Sequence, residues 1–258
     1  MSRILAANWK MNLGLEEARA LYAAVSDANT MYPRIRTIVF PPFTAIASLA
    51  EASRGRGGPA LGGQNCHPET RGAFTGEISA EQVRDAGAEY VLVGHSERRR
   101  LFCESDQLTR SKLAASWRAG LVPLLCVGET LAERERRETR AVLARQLQRA
   151  LESAPSRAPL HAAYEPVWAI GTGVVAAPEQ VAEAHAWVRE ELDGLGRKDS
   201  GAPILYGGSV DPKNAASLAS IAEVDGFLVG GASLTAPSFL AIAAALDAAA
   251  ARAGARVH

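Results

Sequence analysis

The sequence predicts an α/β fold, a single-domain (β/α)8 barrel formed by residues 1–258. Short apolar runs typical of buried strands recur from one end of the chain to the other. Segments with helical patterns separate these runs, and no Ser/Pro-rich linker interrupts the series. About 250 residues is a usual length for one barrel of this kind. A doubly wound open sheet is the alternative that the same alternation allows.

The strands of this barrel are predicted at eight apolar runs. Because the runs are apolar almost throughout, they suit parallel strands that are buried on both faces. They are Ile4–Trp9, Thr37–Phe40, Ala60–Gln64, Tyr90–Gly94, Val122–Val127, Ala162–Glu165, Ile204–Gly207 and Gly226–Val229.

Helical patterns lie between the strands and are expected to cover the barrel. Pro178 suits the first turn of its helix, and Glu179 beside it favours the positive end of the helix dipole. The clearest helices are predicted at Glu16–Tyr32, Ser105–Ala119, Leu131–Leu151, Pro178–Leu195 and Pro237–Ala253.

The composition excludes several classes of function. Basic and acidic side chains balance, 28 against 28, so the chain has no general attraction for nucleic acid or for an anionic membrane. The cysteines, Cys66, Cys103 and Cys126, are far apart, which favours a reducing cytoplasm and argues against structural zinc. The N-terminus lacks a signal-peptide pattern, and Asp247 and Arg252 interrupt the Ala-rich final helix. We therefore expect a soluble cytoplasmic protein without a metal site.

Unusual polar residues lie at the predicted strand ends, where (β/α)8 barrels carry their active sites. Asn8 and Lys10 end the first strand, and because they are two residues apart they are expected on the same face of it. His95 follows the fourth strand, and Glu165 ends the sixth. The sequence therefore predicts one polar site at one rim of the barrel.

Glu165 marks the point where the sixth strand becomes a Gly-rich loop. Pro166 lacks an N–H and disfavours a longer strand. The loop mixes bulky apolar side chains with glycines, which suits a lid that excludes water from a base when it closes. The predicted lid residues are Pro166, Val167, Trp168, Ala169, Thr172, Gly173, Val174, Val175 and Ala176.

The residues around this base allow a structural or a catalytic interpretation. A single histidine at a strand end is most often structural. Ser96, however, suits the start of a helix, and His95 lies directly before it. A neutral His95 at this helix start could donate a hydrogen bond to a carbonyl that becomes an enolate. Lys10 could extend to solvent or supply a fixed positive charge for an anionic substrate. Glu97 favours a structural ion pair because arginines follow it, and Cys126 suits a small buried packing group.

Paired glycines follow the last two strands, in Gly207-Gly208-Ser209 and in Gly230-Gly231. Each pair could be a simple tight turn. Glycines also let backbone N–H groups approach a ligand closely, and successive N–H groups bind anions. Because barrels often hold phosphate after strands seven and eight, two such pairs favour a phosphate site.

Another glycine motif points to a dinucleotide, and we discount it. Gly171–Ala176 matches the G-x-G-x-x-A pattern of dinucleotide-binding loops, but Pro166 ends the strand five residues before it. No tight strand–helix turn is then expected, and no nicotinamide or other cofactor is predicted.

The segment Asn65–Glu77 is a long loop without helical periodicity, as functional loops often are. Phe74, an apolar residue beside Thr75 near its tip, suggests that the loop docks against a partner subunit.

The motifs together resemble the triosephosphate isomerase family from about residue 3 to residue 245. The set is highly specific because the motifs occur in order along the chain. They are Asn8–Asn12, Gly72–Ser79, Gly94–Arg99, Tyr164–Gly173, Tyr206–Val210 and Gly226–Leu234.

The resemblance implies interconversion of two triose phosphates without a metal or cofactor. It makes Glu165 the base that moves a proton between adjacent carbons and His95 the neutral electrophile. Lys10 would supply electrostatic stabilisation, and Asn8 would help to position the substrate. Further residues that the resemblance implies are the phosphate ligands Gly171, Ser209, Gly230 and Gly231 and the apolar cover of the base, Ile170 and Leu228.

The resemblance also implies a homodimer, in which the loop carrying Phe74 and Thr75 enters the other subunit near its catalytic residues. A departure from the family lies at Val174-Val175-Ala176, where many members have Lys-Thr-Ala, and it is expected to affect lid opening more than chemistry. Two alternatives remain: a related isomerase of a tetrulose phosphate, and a binding or scaffolding barrel without activity.

Overall fold

The computed structural model describes residues 2–55, 57–171, 175–198 and 201–255, and it contains a closed barrel of eight parallel strands. Each strand pairs with the next, and the last pairs with the first, so the open-sheet alternative is wrong and the predicted barrel is confirmed. The strands are β1 (Arg3–Asn8), β2 (Ile35–Phe40), β3 (Ala60–Gly63), β4 (Tyr90–Val93), β5 (Val122–Val127), β6 (His161–Tyr164), β7 (Ile204–Tyr206) and β8 (Gly226–Val229).

Helices follow the strands along the chain and pack outside the barrel. Pro178 opens its helix as predicted. The helices are α1 (Leu15–Val25), α2 (Ala28–Met31), α3 (Phe43–Ser53), α4 (Ala80–Asp85), α5 (Ser96–Leu101), α6 (Asp106–Arg118), α7 (Leu131–Glu135), α8 (Thr139–Leu151), α9 (Pro178–Gly194), α10 (Ala215–Leu218) and α11 (Ala236–Ala255).

Two helices predicted as continuous are divided in the structure. The prediction Glu16–Tyr32 is wrong at Ser26, whose hydroxyl donates to the carbonyl oxygen of Tyr22 at 2.8 Å and competes with the helical backbone bonds. The prediction Leu131–Leu151 is wrong near Arg137, whose φ of 60° is left-handed and ends a helix of L-residues.

Alternation along the strands produces two apolar layers. In β1, Ile4 and Ala6 belong to the cluster inside the barrel, whereas Leu5 and Ala7 belong to the larger cluster that includes the covering helices. Cys126 lies in the inner cluster and is fully buried, and this burial raises the pKa of its thiol well above the usual value. The thiol therefore stays protonated in the barrel core.

The final helix α11 is long and apolar enough to cross a membrane by composition alone, since Ala236–Ala253 has a mean hydropathy of 1.2. Its Phe239 and Leu246 are fully buried, however, and the Asp247 carboxylate pairs with Arg34 at 2.9 Å. These contacts make it the last covering helix of the barrel.

His185 is expected to make the fold less stable in acid. Its ring is fully buried on α9, where Nδ1–H donates to the carbonyl oxygen of Glu223 at 2.9 Å. Burial lowers the pKa of His185 from 6.5 to about 4, so the unfolded chain binds a proton that the folded chain excludes. Stability from this residue is complete above pH 6.5 and is lost as the pH falls through 4. The loss amounts to about 3 kcal/mol.

We therefore expect His185→Phe to flatten the decline in unfolding free energy between pH 6.5 and pH 4, measured by urea denaturation. The slope against pH is the readout, because losing the bond to Glu223 lowers the stability of the variant at every pH. Parallel pH profiles for the two proteins would contradict this assignment.

Candidate active site

A cavity of about 330 Å³ opens at the rim formed by the carboxyl ends of the strands. Ten of the predicted site residues line it, from five different strands and the loops after them. They are Asn8, Lys10, His95, Glu165, Ile170, Gly171, Ser209, Leu228, Gly230 and Gly231.

Glu165 directly follows β6 and is 2% exposed. Its Oε2 atom accepts a hydrogen bond of 2.8 Å from the backbone N–H of Ser96, at the start of α5. Its Oε1 atom lies 3.0 Å from Nε2 of His95 and has no hydrogen-bond partner among the described residues. One carboxylate oxygen is thus held by the backbone and the other faces the cavity.

His95 caps the N-terminus of α5 and is 6% exposed. Its Nδ1 atom accepts a hydrogen bond of 3.2 Å from the backbone N–H of Glu97. A ring nitrogen that accepts a hydrogen bond carries no proton, so the neutral ring carries its proton on Nε2. This assignment places an N–H donor at the cavity beside Glu165.

Lys10 lies just beyond β1 with a φ of 53°, a left-handed conformation that is strained for lysine. Because β1 ends at Asn8, the expected shared strand face is wrong, although both side chains still line the cavity. The turn is held by Asn8, which accepts from the Lys10 N–H at 3.0 Å, and by Gln64, which donates to the Lys10 carbonyl at 2.8 Å. This strained backbone conformation places the ammonium group of Lys10 at the rim of the barrel.

Glu97 forms an ion pair, but with that ammonium group rather than with the arginines that follow it, two of which pair with Glu104 and Asp106. The Nζ atom of Lys10 lies 2.5 Å from Oε1 of Glu97. Burial opposes ionisation of Glu97, but the hydrogen bond from Lys10 and the neighbouring positive groups lower its pKa overall. The carboxylate therefore fixes Lys10 in position.

Residues after β7 and β8 line the same cavity and bring their backbone N–H groups to its wall. Those of Ser209, Gly230 and Gly231 donate to no other described residue, and such successive N–H groups attract anions. A Cβ added at Gly230 would lie 3.7 Å from Nζ of Lys10. An anionic group placed here would therefore meet both backbone donors and a positive charge.

The predicted lid is described only in part, because Thr172, Gly173 and Val174 lie outside the described residues. Its first part, Val167–Ala169, forms a 3₁₀ turn after Pro166. The remaining described residues, Val175 and Ala176, precede α9, and Val175 is exposed.

A residue that sequence reasoning missed binds the first part of the predicted lid. Glu129, fully buried after β5, accepts a hydrogen bond of 2.8 Å from Nε1 of Trp168 and bonds of 3.1 and 3.2 Å from the Tyr164 hydroxyl. Arg134 lies 3.3 Å from the same carboxylate. The rule that polar residues gather after strand ends could have found Glu129, since it lies two residues after the end of β5.

Four other predicted residues do not line this cavity. Ser96 contributes its backbone N–H to Glu165, and Cys126 packs inside the barrel. Phe74 is half-exposed and its ring stacks on His67 at 4.2 Å between centroids, with the exposed Thr75 beside it. Among the described residues, no group of three or more His, Cys, Asp or Glu side chains is arranged to hold a metal ion.

The chain is similar to known proteins over almost its whole length. The sequence profile of the triosephosphate isomerase family matches residues 3–246. A triosephosphate isomerase of Xanthobacter flavus is 48% identical over 94% of this chain and 97% of its own length. One from Bdellovibrio bacteriovorus is 48% identical over 94% of this chain and 99% of its own. The crystal structure of triosephosphate isomerase from Bartonella henselae superimposes with a TM-score of 0.84 at 40% identity, covering 95% of this chain and 99% of that one.

Proposed function

This chain belongs to the triosephosphate isomerase family and interconverts dihydroxyacetone phosphate and D-glyceraldehyde 3-phosphate, and we propose the residue roles by which it does so. The reaction is an aldose–ketose isomerisation that needs no cofactor, because hydrogen moves within the substrate as protons. The observation that carries the proposed roles is the convergence of Glu165, His95 and Lys10 on one small cavity, beside backbone N–H groups that donate to no described residue.

Glu165 acts as the general base. Its Oε1 atom, unpaired among the described residues, removes a proton from the carbon next to the substrate carbonyl and returns it to the neighbouring carbon. The bond from Ser96 to Oε2 holds the carboxylate while Oε1 takes the proton. The C–H electron pair becomes the double bond of an enediolate, so negative charge moves onto oxygen.

His95 and Lys10 stabilise that charge. The Nε2–H group of His95 donates to the carbonyl oxygen as it becomes an enediolate oxygen, and the proton can pass between the two oxygens. The ammonium group of Lys10 neutralises the same region and attracts the phosphate. Asn8 holds the strained turn on which Lys10 lies.

The phosphate lies against the backbone N–H groups of Ser209, Gly230 and Gly231, with Gly171 at the edge of the lid. Ile170 and Leu228 also line the cavity, and they exclude water from Glu165 when substrate is bound. Exclusion of water protects the enediolate, which could otherwise lose its phosphate. The cavity volume of about 330 Å³ suits a ligand of this size.

An assay with purified protein tests these assignments. Glyceraldehyde 3-phosphate should be converted to dihydroxyacetone phosphate. The product is measured by a coupling enzyme that oxidises a nicotinamide cofactor. A phosphorylated mimic of the enediolate should inhibit competitively and bind more tightly than substrate. A mimic that binds no better than inorganic phosphate would contradict a site built for the intermediate.

The four-carbon alternative is tested in the same assay with a tetrulose phosphate. The catalytic residues would serve both substrates, so the discriminating quantity is the ratio of the two kcat/KM values. The small cavity supports a preference for the triose phosphate. A ratio near one would show that the size of the cavity does not select between the two substrates.

We further propose that the chain is one domain, that it acts in the cytoplasm, and that it forms a homodimer. A second cavity of about 440 Å³ beside Lys10 and Glu97 supports the dimer. The exposed apolar side chains Met11, Leu101 and Phe102 line it, with Met11 97% exposed. Such a patch suits the apolar tip of the Phe74 loop from a second copy.

Phe74→Glu is therefore expected to raise the dissociation constant of the dimer by roughly 30-fold or more, since buried aromatic anchors typically carry about 2 kcal/mol or more. Activity should fall as the dimer dissociates, because the second cavity, which the partner's loop would fill, borders Lys10. Sedimentation at several concentrations measures the mass. Met31→Glu, a matched change of an exposed apolar residue on α2, is the control. A Phe74 variant that sediments like the wild type would place the interface elsewhere.

A further inference from the structure

The loop after β5 touches the backbone of Glu165 at Gly128. A Cβ added to Gly128 would lie 1.8 Å from the carbonyl oxygen of Glu165, so only glycine allows this approach. Hydrogen bonds join the same two segments on either side of the contact. The Glu165 N–H donates to the Val127 carbonyl at 2.8 Å, and the Val167 N–H donates to the Glu129 carbonyl at 3.1 Å. The backbone of the base is therefore positioned by this loop.

Gln146 on α8 binds both polar atoms of Gly128. The Gly128 N–H donates to Oε1 of Gln146 at 2.8 Å, and Nε2–H of Gln146 donates to the Gly128 carbonyl at 3.1 Å. The Gln146 side chain is 5% exposed, and α8 packs against β5. Two bonds from one planar amide hold the two peptide groups that meet at Gly128.

We propose that Gln146 is a positioning residue for catalysis, which acts through Gly128 to hold the backbone of Glu165. The proposal depends on the role of Glu165 as the base. Proton transfer requires the carboxylate within a narrow range of distance and angle, and a displacement of about 1 Å typically costs about 100-fold in rate. Without the amide, the buried N–H and carbonyl of Gly128 lose their partners, and the loop moves to find others.

The predicted effect is on turnover rather than on substrate binding. The residues proposed to bind phosphate, Ser209, Gly230 and Gly231, follow β7 and β8 and make no hydrogen bond with Gly128 or Gln146. A purely structural role would instead loosen the whole rim and weaken phosphate binding as well.

Gln146→Met tests the proposal, because it keeps the length of the side chain and removes both hydrogen bonds. We expect kcat to fall by about 100-fold, with KM and the affinity for inorganic phosphate within about twofold of the wild type. Gln148→Met is the matched control, since Gln148 lies on the same helix but is exposed and binds Glu191. It should leave kcat unchanged.

Gln146→Glu provides a second readout, the pH dependence of kcat, which a purely structural role would leave unchanged. Protonated, the new carboxylic acid donates to the Gly128 carbonyl and accepts from its N–H, as the amide does; ionised, it can only accept. The ratio of its kcat to that of the wild type should therefore rise as the pH falls, because burial raises the pKa of the introduced carboxyl group.

The outcomes separate the two proposals. If Glu165→Gln abolishes turnover but Gln146→Met has wild-type kcat, the positioning role is wrong and the base assignment stands. If Gln146→Met weakens phosphate binding as strongly as it lowers kcat, or if the Gln146→Glu ratio does not vary with pH, Gln146 is only structural. If Glu165→Gln retains turnover, the base assignment itself is wrong.

Discussion

Glu165→Asp is expected to lower kcat by about 1,000-fold and to leave KM within a factor of a few. The change keeps the charge but withdraws the carboxylate by one methylene. General bases contribute roughly 10² to 10⁴ in rate, and the contribution depends on reach. In the wild type the Ser96 N–H donates to Oε2 of Glu165 at 2.8 Å. The aspartate side chain is too short to keep this bond and also reach the substrate carbon, so one of the two contacts would be lost.

The measurement is steady-state kinetics in both directions, with the affinity for inorganic phosphate determined separately. Glu179→Asp, the same change on the first turn of α9, is the control. A kinetic isotope effect with deuterated substrate should be larger in the Glu165 variant, because slower proton abstraction limits turnover more fully. Turnover equal to that of the wild type would remove Glu165 from its role as the base.

The barrel could be predicted from sequence because its strands are buried on both faces. Such strands appear as short apolar runs whatever the details of packing, as Tyr90–Val93 does in β4. Helix ends were predicted well where a local signal exists. Ser105 caps α6 by accepting from the Leu108 N–H, and Pro178 opens α9. The break between α1 and α2 is not predicted because apolar periodicity continues across it. The break between α7 and α8 is not predicted because it lies in a charged stretch that contains neither Gly nor Pro.

The proximity of the proposed catalytic side chains could be predicted because barrel topology brings strand ends together, which places His95 and Glu165 in contact although they are far apart in sequence. The left-handed conformation of Lys10 could not be predicted from the sequence, because lysine has no preference for that conformation. It is imposed by bonds to Asn8 and to Gln64, and the latter comes from another strand end.

The residues that support the base were also beyond sequence reasoning. The helical pattern places Gln146 on the apolar face of α8 and Gln148 off it, but it does not show that the Gln146 amide binds Gly128. The glycine itself resembles an ordinary turn residue until its distance to the Glu165 carbonyl is known. Non-local contacts between buried polar groups decide these roles, and they leave little trace in one sequence.

Lys10→Met is expected to lower kcat/KM by roughly 1,000-fold, through both kcat and KM. Among the described residues that line the cavity, Lys10 carries the permanent positive charge, while Glu165 and Asp211 are acidic. Without it, an anionic phosphate enters a negative cavity, and the enediolate loses a donor of the kind worth roughly 10² to 10³ in rate. The Glu97 carboxylate, now 2.5 Å from Nζ, would also be left without its partner.

The two variants should therefore differ in kind, since Glu165→Asp changes kcat and Lys10→Met changes kcat and KM together. Lys213→Met is the control, because Lys213 is an exposed lysine in the loop after β7 whose charge is screened by solvent. Added salt should raise KM in the wild type and have less effect on the Lys10 variant, because the screened attraction has already been removed. If Lys10→Met changed kcat alone, the ammonium group would act only on the enediolate, and substrate capture would depend on the backbone N–H groups after β7 and β8.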